Sequence, residues 1–140
     1  MILLDTNVVS ELMRPAPSAR VLQWLNHQPS REIWLSSVVA GELLFGLARL
    51  PEGARKQQLT RTLSLMLSED FQNRVLAYDL EAAVVYADLV AQRESQGRPI
   101  SLADAQIASI CLTHQASLAT RNTKDFEGLG LTLINPWLNH

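Results

Sequence analysis

Short apolar runs alternate with helix-length segments along the chain, and this alternation is the feature that most restricts its fold. The apolar runs predict strands at residues 2–4, 33–35, 75–78, 117–120 and 131–134. The segments between them predict helices at residues 7–13, 18–27, 38–50, 52–68, 80–96 and 101–114. Consecutive strands joined through a helix pair in parallel, because the helix supplies the crossover that parallel neighbours need. We therefore predict an α/β fold with a central parallel sheet and helices on both faces.

The length of the chain limits how many domains it can form. With 140 residues and 47% hydrophobic content it has the size of one globular domain, and we predict a single domain over residues 1–140. Charged residues interrupt every long apolar run, and the N-terminus shows neither a basic leader nor a cleavage site. We therefore expect no membrane span and no signal peptide, and a cytoplasmic protein.

Three carboxylates occupy positions where a charge is unusual. Asp5 comes directly after the first predicted strand. Glu42 is the only charged residue between residues 33 and 48, and it lies in a predicted helix that should otherwise be buried. Asp104 is the only charged residue between residues 100 and 112. Charged side chains are seldom buried without a partner or a metal ion, because removing them from water is costly. These three residues are therefore candidates for a functional site.

Each of these carboxylates also has a purely structural explanation. Asp5 could cap the helix that follows it. Glu42 could pair with an arginine or face water on a polar stripe. Asp104 lies three residues after Ser101, so the two residues approximate a capping box, which is compatible with a functional role as well.

A fourth polar position lies after the strand predicted at residues 117–120. Asp125 and Asn122 both follow that strand, so both should emerge at the same sheet edge as Asp5, and they compete for one role. Asp79 also follows a predicted strand, but we interpret it as the N-cap of the helix that begins at Leu80.

Together, Asp5, Glu42, Asp104 and Asp125 would bring several negative charges to the sheet edge where ligands of open α/β folds bind. Their repulsion would raise some of their pKa values unless a cation lay among them. Carboxylate oxygens suit Mg²⁺ or Mn²⁺. Such an ion can lower the pKa of a water molecule and neutralise charge on a phosphodiester. The residues thus point to metal-dependent hydrolysis of a nucleic-acid backbone.

The overall charge of the chain does not favour a nucleic-acid ligand by itself. The formal net charge is −2, from 12 basic and 14 acidic residues. If four acidic residues hold metal, the remainder is 12 basic against 10 acidic residues, or +2. The basic residues form no single run, so we expect a modest, patchy positive surface.

Four segments, taken together, resemble the PIN-domain family, and within it the VapC-like ribonuclease toxins of bacterial toxin–antitoxin pairs, including the FitB-like branch. The segments are ILLDTNVVSEL, SSVVAGELLFGL, ISLADAQIAS and LATRNTKDFEGLGLTLINPW. The resemblance covers the whole chain. It implies a PIN-like three-layer α/β/α sandwich, an acidic pocket for Mg²⁺ or Mn²⁺, endoribonuclease activity on RNA, and inhibition by a cognate antitoxin.

The resemblance also assigns roles to individual residues. Asp5 and Asp104 resemble the main metal ligands, and Glu42 resembles the supporting acid. Thr6 and Thr120 resemble hydroxyl positions that brace the site by hydrogen bonds. Many relatives carry an acidic residue where Asn122 stands, so either Asp125 replaces it or the site has only three strong acids.

The resemblance implies protein partners too. Such toxins usually form homodimers or higher oligomers, and an antitoxin tail typically lies across the helices beside the pocket. The helix predicted at residues 52–68 and the one before it are candidates for these contacts, because they carry more apolar residues than one small sheet needs. DNA would be contacted only through the antitoxin.

Two other functions are compatible with parts of the sequence. In an aspartyl phosphotransferase Asp5 would be the nucleophile, but haloacid-dehalogenase-like enzymes need a second aspartate two positions on, where Asn7 stands. In a non-catalytic binding module the acidic residues would serve only as helix caps and surface charges. Fold alone does not separate these classes.

Overall fold

The computed structural model describes residues 1–138, and Asn139 and His140 lie outside the described residues. Its five strands are β1 (Ile2–Leu4), β2 (Ile33–Ser36), β3 (Val75–Leu76), β4 (Ser117–Ala119) and β5 (Leu133–Ile134). They form one sheet in the order β3-β2-β1-β4-β5, and every neighbouring pair is parallel. The predicted parallel sheet is confirmed.

Six α-helices connect or flank these strands. They are α1 (Thr6–Leu12), α2 (Ala19–Asn26), α3 (Ser37–Ala48), α4 (Ala54–Leu65), α5 (Leu80–Ser95) and α6 (Leu102–Thr113). Side-chain caps start several of them: Ser36 accepts a hydrogen bond from the Val39 N–H, and Asp79 accepts one from the Ala82 N–H. The prediction that Asp79 is an N-cap is confirmed. No helix within residues 1–138 has the length and apolar content needed to cross a membrane.

The structure differs from the predicted elements mainly at their ends. The helix predicted at residues 52–68 begins only at Ala54, because Gly53 has a φ of 152° that a helix does not allow. After Leu65 the chain continues as a π turn, in which the Phe71 N–H bonds to the Met66 carbonyl. Strands β3 and β5 are shorter than predicted, since each lies at a sheet edge and pairs on one side only.

The strand order identifies the place where a ligand site is expected. The chain moves from β1 to β2 to β3 in one direction, then returns past β1 to form β4 and β5. With right-handed crossovers, this reversal puts helices on both faces of the sheet. It also opens a crevice at the carboxyl ends of β1 and β4, where Leu4 pairs with Ala119.

The core lies between the sheet and the helices. Its largest buried side chains are less than 2% exposed and include Leu3, Leu4, Leu35, Leu63, Ile107, Ile110, Leu118 and Phe126. The expectation that α3 would be buried apart from Glu42 is wrong, since Leu44 and Phe45 are 49% and 63% exposed. Helix α5 likewise turns an apolar stripe to solvent, and its buried side is formed by Ala82, Leu89 and Arg93.

We expect Leu118→Ala to lower the free energy of unfolding by about 2–5 kcal/mol, because it leaves a cavity in a fully buried strand beside Leu3. Leu102→Ala is the matched control, since Leu102 is 62% exposed and its truncation should cost less than about 0.5 kcal/mol. Urea denaturation measures both changes, and equal losses in the two variants would contradict the assignment of Leu118 to the core.

Candidate active site

Asp5 lies at the carboxyl end of β1, in the crevice between β1 and β4. Its backbone N–H bonds to the Ala119 carbonyl at 2.9 Å, which extends the β1–β4 pairing by one step. One carboxylate oxygen accepts the Thr6 N–H at 2.8 Å, and the other accepts the Thr120 hydroxyl at 2.7 Å. Asp5 is only 4% exposed. It therefore caps α1 and also presents a buried, oriented carboxylate at the carboxyl edge of the sheet, as predicted.

Glu42 joins this edge from α3. The Thr6 hydroxyl donates a hydrogen bond to its carboxylate at 2.6 Å, so Thr6 holds Glu42 and the neighbouring Asp5 together. Glu42 is exposed to solvent, which contradicts the expected burial and agrees with the alternative in which it faces water. In residues 1–138 it forms no ion pair with an arginine, so the salt-bridge alternative is wrong.

Asn7 is also part of the site, although the sequence analysis did not identify it as a site residue. Its amide donates to both Asp5 and Thr120 at 3.3 Å, and its carbonyl oxygen accepts the Arg121 N–H at 3.1 Å. Asn7 thereby connects α1 to the segment after β4. Its position two residues after a strand-terminal aspartate, in the first turn of a helix, was the only signal available in the sequence.

Asp104 lies in the first turn of α6, where the Ser101 hydroxyl caps its N–H at 3.2 Å. Burial raises the pKa of the Asp104 carboxyl above its ordinary value, and the negative charge of Asp5 raises it further. The charges of Asp125 and Glu42 act in the same direction, and the Ser101 hydrogen bond opposes them. All four predicted acids are thus close enough to influence one titration.

The pKa of Asp5 is raised as well. Burial is the main cause, and the nearby charge of Glu42 adds to it. Hydrogen bonds from Thr120, Thr6 and Asn7 stabilise the ionised carboxylate and oppose the rise. Both desolvation and repulsion between the carboxylates therefore oppose the ionisation of Asp5 and Asp104.

Asp125 and Asn122, the two candidates for the fourth position, both reach this edge. Asp125 is in a 3₁₀ turn (Thr123–Phe126), and Asn122 directly precedes it. The Asn122 N–H donates to the Thr120 hydroxyl oxygen at 3.0 Å, and the Asp125 carboxylate helps to raise the pKa of Asp104. Only Asp125 contributes charge, whereas Asn122 supports Thr120 through its backbone.

Arg93, on α5, anchors the segment after β4, and the sequence analysis did not identify it as a site residue. Its guanidinium is buried at 4% exposure and donates to the backbone carbonyls of Glu127 at 2.7 Å and Asp125 at 3.2 Å. The Nε of Arg93 has no hydrogen-bond partner among the described residues. The helical spacing could have indicated its burial, because Arg93 follows Leu89 by four residues and so lies on the same side of α5.

The donor set of the site limits which metal it could hold. Within the part of the chain that the structure describes, no three Asp, Glu, His or Cys side chains are grouped so that they could ligate one ion together. A closed site for zinc needs such a group. Mg²⁺ keeps several waters and usually binds through one or two carboxylates, so Asp5 and Asp104 fit a hydrated Mg²⁺.

Comparison with known proteins agrees with this architecture. Residues 2–130 match the family described as PIN domain. The chain is 42% identical to the VapC ribonuclease Y4jK of Sinorhizobium fredii over 98% of both chains, and 36% identical to Toxin FitB of Neisseria gonorrhoeae over 98% of this chain and 99% of that protein. The crystal structure of FitAcB from Neisseria gonorrhoeae superposes with a TM-score of 0.92, at 36% identity, covering 99% of this chain and 100% of that one.

We expect Asp104→Asn to raise the thermal midpoint of the metal-free protein at pH 7. Because the folded-state pKa of Asp104 is raised, its ionised form destabilises the fold, and this penalty is absent below the ordinary value of 3.8 and grows as pH rises through the folded pKa. The gain should therefore shrink as the pH approaches 4. Thermal melts in EDTA from pH 4 to pH 8 measure it, with Glu69→Gln, at an exposed position in the turn after α4, as control. A pH-independent difference would contradict the raised pKa of Asp104.

Proposed function

The chain belongs to the PIN-domain family, and from this premise we propose that it is a Mg²⁺- or Mn²⁺-dependent endoribonuclease that acts as the toxin of a toxin–antitoxin pair. The observation that carries the proposal is the Asp5 carboxylate, which Thr6 and Thr120 hold at the carboxyl end of β1 and which Thr6 links to Glu42. Asp104 and Asp125 lie near enough for their charges to interact with this site. The 42% identical relative that is named a VapC ribonuclease supports the same reaction class.

Asp5 and Asp104 are the residues that would hold the metal ion. Burial raises the pKa values of both carboxyls and neighbouring carboxylates raise them further, and a bound cation would offset both effects. Thr120 and Thr6 orient the Asp5 carboxylate, and supporting hydrogen bonds of this kind set the geometry of metal ligands. When bound, a divalent ion supplies a water of lowered pKa and positive charge beside the phosphodiester.

The exposed carboxylate of Glu42 takes the proton of the attacking water. Glu42 is oriented by the Thr6 hydroxyl and reaches solvent, so it meets the positional requirement for a general base. Hydrolysis joins the water oxygen to phosphorus and breaks a phosphorus–oxygen bond to ribose, whose oxygen then takes up a proton. Asp125, which is exposed at the same edge, is the fourth acid.

We expect the purified protein to cut pooled, end-labelled cellular RNA with Mg²⁺ or Mn²⁺ and not in EDTA. Asp5→Asn should abolish the cuts, because it removes a ligand charge, whereas Glu69→Gln, at an exposed position in the turn after α4, should leave them unchanged. Gel electrophoresis of the labelled products measures both. Absence of metal-dependent cutting by well-folded protein would overturn the proposal in favour of a non-catalytic binding module.

An antitoxin and a second copy of the chain are the proposed protein partners, and two exposed apolar surfaces support them. Helices α3 and α4 expose Leu44, Phe45 and Leu65, at 49%, 63% and 52%. Phe45 lies one turn from Glu42, so an inhibitory segment on this surface would come close to the acidic site. We assign it to the antitoxin.

The apolar stripe of α5 suits a second copy. It consists of Leu80, Val84, Ala87 and Ala91, which are all exposed and repeat at helical spacing. Leu80 and Val84 are 80% and 61% exposed, so their side chains contribute little to the core of one protomer. A stripe of this kind can pack against its own copy across a two-fold axis.

We expect the protein to be a dimer at micromolar concentration, and Val84→Asp to convert it to a monomer by placing an unpaired charge in the interface. Leu65→Asp on α4 is the matched control and should leave the dimer intact. Light scattering gives the mass of each species. A monomeric unsubstituted protein, or dissociation by Leu65→Asp alone, would contradict the assignment of α5.

A further inference from the structure

Two basic side chains of the segment after β4 lie beside the acidic crevice, and a third, from α2, meets one of them at Trp137. Arg121 and Lys124 line a surface cavity of about 290 Å³ together with Asn122, Thr123 and Asp125. Arg20 comes from α2 and donates to the Trp137 carbonyl at 3.3 Å. The guanidinium of Arg121 lies over the indole ring of the same tryptophan. We call Arg20, Arg121 and Lys124 the basic rim.

Arg121 is held in a defined position relative to the acidic site. Its guanidinium carbon lies 4.8 Å from the centre of the Trp137 ring, which is a cation–π contact. Its backbone N–H bonds to Asn7, whose amide in turn bonds to Asp5. An arginine restrained by stacking loses less conformational freedom when it binds an anion.

The charges of the basic rim are not neutralised by neighbouring carboxylates. The ion pairs within residues 1–138 join Glu32 to the N-terminal amine, Glu11 to Arg14 and Glu52 to Lys56, so none involves the rim. All three rim residues are exposed. They therefore present free positive charge beside a site whose carboxylates would otherwise repel a polyanion.

We infer that the basic rim binds phosphates of single-stranded RNA that flank the cleaved bond and thereby holds the strand across the acidic crevice. Arginine binds phosphate through two parallel N–H groups and lysine as a point charge, so both residue types suit the RNA backbone. The cavity between Arg121 and Asp125 places this contact directly beside the fourth acid. The inference rests on the proposed ribonuclease function.

The test compares Arg20→Met, Arg121→Met and Lys124→Met, because methionine removes the charge and keeps much of the side-chain bulk. Arg31→Met is the matched control, since Arg31 is exposed in a turn before β2, at the opposite edge of the sheet. Each is made in an Asp5→Asn background with Mg²⁺, so that a fluorescent single-stranded RNA stays intact. Fluorescence anisotropy over a range of salt concentrations measures binding.

Each rim substitution should weaken RNA binding several-fold and flatten the dependence of log K on log salt by about 0.7 for each phosphate that the variant no longer binds. Arg121→Lys should restore part of the affinity. Arg31→Met should change neither quantity. Equal binding by all variants would overturn the role of the rim and leave the ribonuclease proposal standing. No RNA binding by any of them would overturn both.

A second readout separates strand binding from a structural effect on the acids. In the active background, rim substitutions should raise KM for RNA and leave kcat within about twofold, as expected when uniform binding is weakened. A fall in kcat at unchanged KM would instead show that Arg121 or Lys124 maintains the geometry of the acids, and would overturn the inference. Thermal midpoints equal to that of the Arg31→Met control confirm that the variants fold.

Discussion

The hydrogen bond from Thr120 to Asp5 joins the ends of the two strands between which the sheet reverses direction. Both residues are almost fully buried, so the bond is formed away from competing water. Asn7 and the Asn122 N–H converge on the same pair of side chains. Removing the Thr120 hydroxyl would leave a buried carboxylate with fewer donors, which is more costly than losing an isolated surface bond. The position of the acidic crevice depends on this small network.

Desolvation of the carboxylates is the main cost of building this crevice, and their mutual repulsion adds to it. Asp5 and Asp104 are partly removed from water, and each lies near other negative charges. Backbone and hydroxyl donors offset part of the cost for Asp5, and the first turn of α6 favours a carboxylate at Asp104 through its helix dipole. The remaining imbalance would favour the proposed cation in the crevice, and the basic rim lies beside it.

Sequence patterns were sufficient for the parallel sheet and for the position of Asp5 at its carboxyl edge. Short apolar runs determine the strands, and a carboxylate directly after β1 is brought to the sheet edge by topology alone. The burial of individual helix faces was not predictable in the same way. Glu42 was interpreted as a buried charge, yet it is exposed, and so are Leu44 and Phe45 beside it on α3. The same helix buries Val39, Leu43 and Leu47. An apolar sequence pattern predicts that a helix face packs against another surface. It does not say whether that surface belongs to the chain's own core or to another protein.

Residues whose importance comes from hydrogen bonds to distant backbone could not be predicted from the sequence. Asn7 is separated from Arg121 by 114 positions, and Arg93 from Glu127 by 34. Neither has a local pattern that specifies its partner. The basic rim is likewise assembled from α2 and the segment after β4, so its residues are scattered along the sequence and adjacent only in the fold.

The anchor provided by Arg93 gives the segment beside the crevice an unusual freedom to change. Arg93 binds the main-chain carbonyls of Asp125 and Glu127, and no side chain of the segment takes part in those bonds. Side chains at neighbouring positions can therefore be exchanged during evolution while the backbone course is preserved. A nuclease built in this way can acquire a new substrate preference by altering the residues displayed on the turn, without rebuilding the scaffold that supports its acidic centre.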